Sequence, residues 1–202
     1  MKYTFGTWSV SVDVTNTSSL TLIKQVHGGN VVLAHEIKNS KPEADGIFLS
    51  RKTDTAAIYT ADCLPLILMA SDKALAVHVS RKTLIRGLLE NVKNFIYPTK
   101  IMHIFIGPHI CQKHFIFEYA GSEIMEFKIK FPEAVEERDN TISLSLQKAL
   151  KTFLTTWGIT DDQITKDERC TYETKELPSY KRWIENGKAG NSGHLTTSVS
   201  TK

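Results

Sequence analysis

The sequence predicts a mixed α+β domain, and three observations carry that prediction. Up to residue 80, short apolar runs, alternating or continuous, are separated by turn-forming residues, which is the pattern of strands. Between residues 83 and 157, three stretches repeat their apolar residues at helical spacing. The chain has 202 residues, a length that suits one domain and can bury a sizeable core without covalent staples.

Taken in order, residues 3–14 alternate through Phe5, Trp8, Val10, Val12 and Val14, which predicts a strand. Asn16 to Ser19 is a turn, and Leu20 to Val26 reads as a second strand running into His27-Gly28-Gly29-Asn30. The two glycines allow a sharp bend there. Val31 to His35 is a third strand, Ile47 to Leu49 a short one, and Ala56 to Thr60 another, entering Asp62-Cys63. Leu64 to Ala70 and Ala74 to His78 are apolar enough for buried strands. A helix is expected over 83–95, with its N-terminal turn just after His78, where free backbone N–H groups suit an anion. Ile101 to Ile106 is a strand stopped by Gly107-Pro108, and Phe115 to Glu118 a short strand. Ser122 to Lys130 and Thr141 to Trp157 read as helices, the second closed by Gly158. A short strand is expected within 164–172, and the chain beyond Lys175 reads as polar.

Composition narrows the function classes. The chain is 41% apolar and 23% charged, with a net charge of +3. That is compatible with small anionic ligands, while the scattered Lys and Arg lack the clustered stripe of a nucleic-acid-binding protein. Three widely spaced cysteines do not make a disulfide framework. No signal peptide and no membrane-length apolar run are found, so a reducing cytoplasm is the expected location.

Two constellations could carry chemistry. His27, Cys63 and His78 lie on separate segments, and an imidazole–thiolate–imidazole set suits zinc with a fourth position left open. Spacing by itself favours a plainer reading, with Cys63 as a small core residue and both histidines satisfied within loops. A third reading makes Cys63 a nucleophile and His78 its base, oriented by Asp62 or Gln25, for attack on an amide. Arg81, Lys82 and Arg86 flank His78 and either hold an anion or form a solvated helical turn. The second constellation, His103, His109, Cys111 and His114, has only a loose Cys111/His114 pair and reads as a loop. Cys170 reads as a buried thiol. No dinucleotide or P-loop glycine pattern is present.

Several segments resemble one family. QVHGGNVV (25–32), EADGIFLS (43–50), TADCLPLIL (60–68), LAVHVSRKTLIRGL (75–88), IGPHI (106–110), RCT (169–171) and SYKR (179–182) match, in order, motifs of the laccase-domain family. That family is also called multicopper polyphenol oxidase or YfiH-like. The resemblance implies a four-layer αββα sandwich with two β-sheets between helical layers. It also implies a metal site formed by His27, Cys63 and His78, which suits zinc better than a multicopper cluster. Family members are associated with phosphorolysis of purine nucleosides and with adenosine deamination, and a role in peptidoglycan-precursor editing is proposed for some. Purine nucleoside and phosphate are therefore the implied partners. Cys63, His78 and Lys82 are the implied catalytic residues, with Gln25 and Asp62 orienting the ligands.

The chain departs from the family pattern at charged positions. The HAGWRG element reads His78-Val79-Ser80-Arg81-Lys82-Thr83, so its arginine becomes Lys82, which keeps the charge but loses the planar fork. Residues 192–194 replace a late TGR with Ser-Gly-His, and only 24 residues precede Gln25, so the domain is expected to be N-terminally shortened. The substitutions leave two further expectations in view: deamination or another hydrolysis on equal footing with phosphorolysis, and a non-catalytic binding member.

Overall fold

The computed structural model describes residues 1–14, 23–37, 41–118, 121–190 and 192–202. The predicted turn at 16–19 and residues 20–22 of the predicted second strand lie outside them. The N-terminal run is a hairpin, β1 (Lys2–Phe5) and β2 (Trp8–Asp13), rather than one strand. Gly6 adopts φ +55° at its turn, a conformation for which a glycine is suited. Then follow β3 (Val31–Leu33), β4 (Gly46–Leu49), β5 (Thr55–Thr60), β6 (Leu64–Met69) and β7 (Ala74–Val79). Two short helices, α1 (Arg81–Ile85) and α2 (Leu88–Val92), precede β8 (His103–Ile106) and β9 (Ile116–Phe117). The remainder is α3 (Ser122–Lys130), β10 (Val135–Arg138), β11 (Thr141–Leu144), α4 (Leu146–Thr156), β12 (Ile164–Lys166), α5 (Tyr180–Glu185) and β13 (Leu195–Thr201).

The expected mixed α+β class stands, as a sandwich built on two stacked sheets. One sheet has six strands in the order β12-β8-β6-β7-β4-β3, and the other has four in the order β1-β2-β13-β5. A small third sheet, β10-β11-β9, lies to the side. Strand alternation divides the six-stranded sheet cleanly between two cores. Leu64, Leu66, Leu68, Leu75, Val77, Val79, Ile104 and Ile106 pack with the helices. Ile67, Met69, Ala74, Ala76 and Phe105 pack with Trp8, Val10, Ile58, Leu195 and Val199 of the four-stranded sheet. Being buried on both faces explains why β6 and β7 read as continuous apolar runs. His78 follows Ala74 and Ala76 by alternation, so it belongs to the face between the sheets, at the end of β7.

The structure corrects several boundaries. The helix expected over 83–95 is broken into α1 and α2. Its apolar face is buried as the spacing implies (Leu84, Leu88, Leu89 and Val92), but Gly87 at φ +79° interrupts the helical ladder. The helix expected over 141–157 begins only at Leu146, where Ser145 caps it by accepting from the Lys148 N–H at 3.1 Å. Ile142 and Leu144 before it belong to β11, a period-two pattern that shares its leucines with the helical one. Gly158 closes the helix at φ +73° as expected. Residues 23–26 form no strand and contribute one bridge, Lys24 to Glu43. The strand of 164–172 stops at Lys166, and Cys170 makes an isolated bridge to His109. The segment after Lys175 is more than a polar tail. It holds α5, and β13, which pairs with β2 on one side and β5 on the other. Its Thr, Ser and Val residues suit a strand but carry little hydrophobic signal. Among the described residues no helix is long and apolar enough to cross a membrane.

Phe105 is the side chain of β8 that meets the opposite sheet. It is fully buried, with its ring 4.6 Å from that of Tyr3 and 6.3 Å from that of Phe5. Phe105→Ala should therefore cost about 3–5 kcal/mol in chemical denaturation, from lost burial and a residual cavity.

Candidate metal centre

Two turns and the end of a strand carry the centre. His27 sits at φ +56°, between Val26 and the two glycines. The bend expected of Gly28-Gly29 is thus made by the histidine itself. Gly29 is needed for a different reason: a Cβ there would meet the carbonyl oxygen of Arg86 at 2.8 Å. Cys63 follows Asp62, which adopts φ +87° just before β6. His78 ends the inter-sheet row of β7, paired across the ladder with Pro65 of β6. The ligand atoms of His27, Cys63 and His78 all lie within 4.8 Å of one another, and Cys63 Sγ is 4.0 Å from His27 Nε2.

Asp45 organises these three residues. Its carboxylate is wholly buried and lies 2.7 Å from His78 Nδ1. It also accepts the backbone N–H groups of His27 at 3.1 Å, Gly28 at 2.6 Å and Val26 at 3.3 Å. Burial alone would raise this carboxyl, but the His78 hydrogen bond and the Gly28 and His27 N–H groups hold it below the usual range. With Nδ1 of His78 engaged, Nε2 is left as the nitrogen available to a ligand. The donor set therefore fits zinc: two imidazoles and one thiolate converge, and one histidine is already fixed by a carboxylate.

The electrostatics of the metal-free site follow from the same contacts. Burial pushes the Cys63 thiol up, but the His78 charge and the hydrogen bonds of His27 and His78 bring it down to about 7. Burial pushes His78 down, but the Cys63 charge and the Asp45 hydrogen bond raise it to about 9. Without a metal, a thiolate–imidazolium pair stands between those two values. The lowered thiol contributes stability that is full above its ordinary value of 9.0 and is lost as pH falls toward 7, whereas the raised imidazole contributes stability that is full below 6.5 and is lost as pH rises toward 9, so the two changes largely offset between those values.

The other predicted residues lie nearby in different settings. Gln25 exchanges two 2.8 Å hydrogen bonds with the backbone of Tyr59, fastening the His27 segment to β5. Asp62 accepts from the Thr171 hydroxyl and the Lys181 N–H, both at 2.7 Å, so it ties the Cys63 turn to the C-terminal segment. Lys82 stands at the cavity rim, 3.3 Å from Glu123, which also binds Arg81 at 2.8 Å. Arg86 donates to the His27 carbonyl at 2.8 Å. At the start of α1, Ser80 and Thr83 form a capping box, so the Thr83 N–H is already engaged. Asp45 and Glu123 were not singled out from the sequence. Asp45 lay within the family-like EADGIFLS segment, at an Asp-Gly step before a strand, and Glu123 gave no signal.

His27 and Cys63 line two adjoining cavities. One, of about 380 Å³, is walled by Ile110, Phe115, Phe117, Tyr180 and Ile184, with Arg81 and Lys82 at its edge. The other, of about 490 Å³, adds Tyr59, His78 and His194. These sizes fall in the range of small-molecule sites.

Three measurements test this arrangement. Asp45→Asn places an amide donor against backbone donors and should cost about 3 kcal/mol of stability in denaturant titration. The same variant should weaken zinc binding roughly 10–100-fold by competition with a chromophoric chelator. In chelator-stripped protein, alkylation of Cys63 by iodoacetamide should rise with pH about a midpoint near 7, instead of about 8.5, and added zinc should suppress it.

A family model described as multi-copper polyphenol oxidoreductase laccase matches residues 8–200. A Rickettsia conorii protein named purine nucleoside phosphorylase is 32% identical over 100 residues, 48% of this chain and 42% of that protein. This chain thus spans less than half of that relative. A Campylobacter jejuni protein of the same name is 30% identical over 167 residues, covering 78% of this chain and 69% of the relative. Among solved structures, a Neisseria meningitidis protein superposes with a TM-score of 0.77 at 22% identity, over 91% of this chain and 75% of that one. YlmD from Geobacillus stearothermophilus gives 0.75 at 19% identity, over 91% and 73%. These two likenesses speak for the fold. The match over residues 8–200, with the His27, Cys63 and His78 convergence inside it, identifies the chain as a member of the multi-copper polyphenol oxidoreductase laccase family.

Proposed function

We propose that the chain is a zinc-dependent enzyme acting on purine nucleosides. One observation carries this reading: His27, Cys63 and His78 converge where two cavities of small-molecule size meet. Relatives named purine nucleoside phosphorylase support the substrate class. Three ligands suit one zinc ion and fall well short of a multicopper cluster. Zinc held there would supply Lewis-acid activation of water or of a substrate oxygen.

The chain's own groups do the rest. Asp45 holds His78 in the tautomer that presents Nε2. Phe115, Phe117 and Tyr180 offer aromatic surfaces on which a purine base can stack, beside Ile110 and Ile184. Arg81, Lys82 and Lys181 are the cations at the cavity; Glu123 engages the first two and Glu185 the third, so a phosphate would have to displace a carboxylate. This favours water over phosphate as the second reactant, and hence adenosine deamination over phosphorolysis.

A second reading rests on a separate observation. Cys63, His78 and Asp45 form a thiol–imidazole–carboxylate relay, with the thiol lowered to about 7. That arrangement is also what a metal-free thiol hydrolase acting on an amide would use, for example in peptidoglycan-precursor editing.

Adenosine, inosine and methylthioadenosine, each offered with and without phosphate to protein of measured metal content, separate the readings. The expected result is ammonia or free base released by zinc-loaded protein, with turnover down at least a hundredfold in His27→Ala. Full activity in zinc-free protein that is abolished by Cys63 alkylation would establish the thiol hydrolase instead. Bound zinc with no turnover of any nucleoside would mark a binding member of the family.

A further inference from the structure

A second cluster of soft ligands lies outside this centre. Two i, i+3 pairs occur in the sequence, Cys111-Gln112-Lys113-His114 and Cys170-Thr171-Tyr172-Glu173. By spacing alone these pairs are loose, and only the fold brings their ligand atoms together. The fold sets the two turns against each other: His109 bridges to Cys170, and Thr171 N–H donates to the His109 carbonyl. The ligand atoms of Cys111, Cys170 and Glu173 all lie within 4.8 Å of one another. Tetrahedral zinc at ordinary bond lengths needs about 3.3–3.8 Å between ligand atoms, so a modest closing of the side chains suffices.

We propose that Cys111, Cys170 and Glu173 form a second cation site, for zinc or another thiophilic divalent ion, with His114 orienting the carboxylate. One sulfur has a backbone donor aimed at it: Cys111 N–H points at Cys170 Sγ at 3.3 Å, while His114 N–H donates to the Cys111 carbonyl. Such a donor stabilises a sulfur that carries negative charge, as a metal-bound thiolate does. His114 is held in turn, its ring stacked 4.2 Å above Tyr172 and its Nε2 2.9 Å from Glu173 Oε1. Lys113 also reaches Glu173, at 3.3 Å. A histidine fixing a ligand carboxylate is the outer support that metal sites commonly carry.

The position says what such a clip would do. Thr171, inside the second turn, donates to Asp62. Arg182 of α5 donates to the carbonyls of Thr171 and Tyr172, both at 2.7 Å. A cation joining the two turns would brace the segment that walls the cavity without itself facing the His27–Cys63–His78 centre.

Cobalt(II) is the probe, and Cys63→Ser silences the sulfur of the first centre. Cys63→Ser should bind one equivalent of cobalt with a sulfur-to-cobalt charge-transfer band, and that band should vanish when Cys111→Ser and Cys170→Ser are added. No band in Cys63→Ser, an unchanged band in the triple variant, or a Cys111–Cys170 disulfide in protein kept under reductant would each overturn the site. Zinc content of the otherwise unaltered chain gives an independent measure. Two ions per chain should become one in Cys111→Ser/Cys170→Ser and one in His27→Ala, whereas a content unchanged by the cysteine pair overturns the proposal. Loss of zinc only in the cysteine pair would leave this site standing and remove the first.

Discussion

The Asp45 carboxylate is the interaction on which the candidate centre depends. It joins two pieces of chain that are far apart in sequence, the His27 loop and the end of β7. Burying a carboxylate without partners is costly, and a buried ion pair is stabilising only when its remaining lone pairs are satisfied. Here His78 Nδ1 and three consecutive backbone N–H groups meet that condition. Backbone bonds lock the same residue in place: Asp45 N–H donates to Asn30, and His78 N–H to the Asp45 carbonyl. One side chain between the sheets therefore holds the His78 imidazole and the backbone that carries His27.

Two non-glycine residues flank this arrangement in the left-handed region, His27 and Asp62. Each such conformation costs on the order of 1 kcal/mol and persists where surrounding bonds overdetermine it. For His27 those bonds come from Asp45 to its N–H and from Arg86 to its carbonyl. For Asp62 they come from Thr171 and Lys181 at its side chain and from Ile110 N–H at its carbonyl. The C-terminal segment thus helps to hold the Cys63 turn, although it lies more than a hundred residues downstream.

Legibility in the sequence followed the physics of each signal. β6, β7 and the buried faces of α2 and α4 were readable because burial imposes an apolar pattern along a contiguous stretch. β13 was not, because a strand packed with small β-branched and hydroxyl residues hardly differs in composition from a loop. The break at Gly87 was hidden because the apolar spacing continues unbroken on both sides of it. His27, Cys63 and His78 were recognisable by ligand chemistry and by the motifs around them. Asp45 lay within a family-like motif too, but its role was not legible, because the part a buried acid plays is shown only by the donors that fold around it.

The sequence by itself determined the class of fold, the buried strands and the three residue types suited to a metal. Those follow from local patterning and from the chemistry of individual side chains. Tertiary structure decided everything that depends on distant segments meeting. It brought the three ligand atoms within 4.8 Å, gave Arg81 and Lys82 to Glu123, and set the turn at Cys111 against the turn at Cys170. The physical reason is that charge pairing and ligand convergence are properties of distance in space, which residue spacing along the chain does not encode.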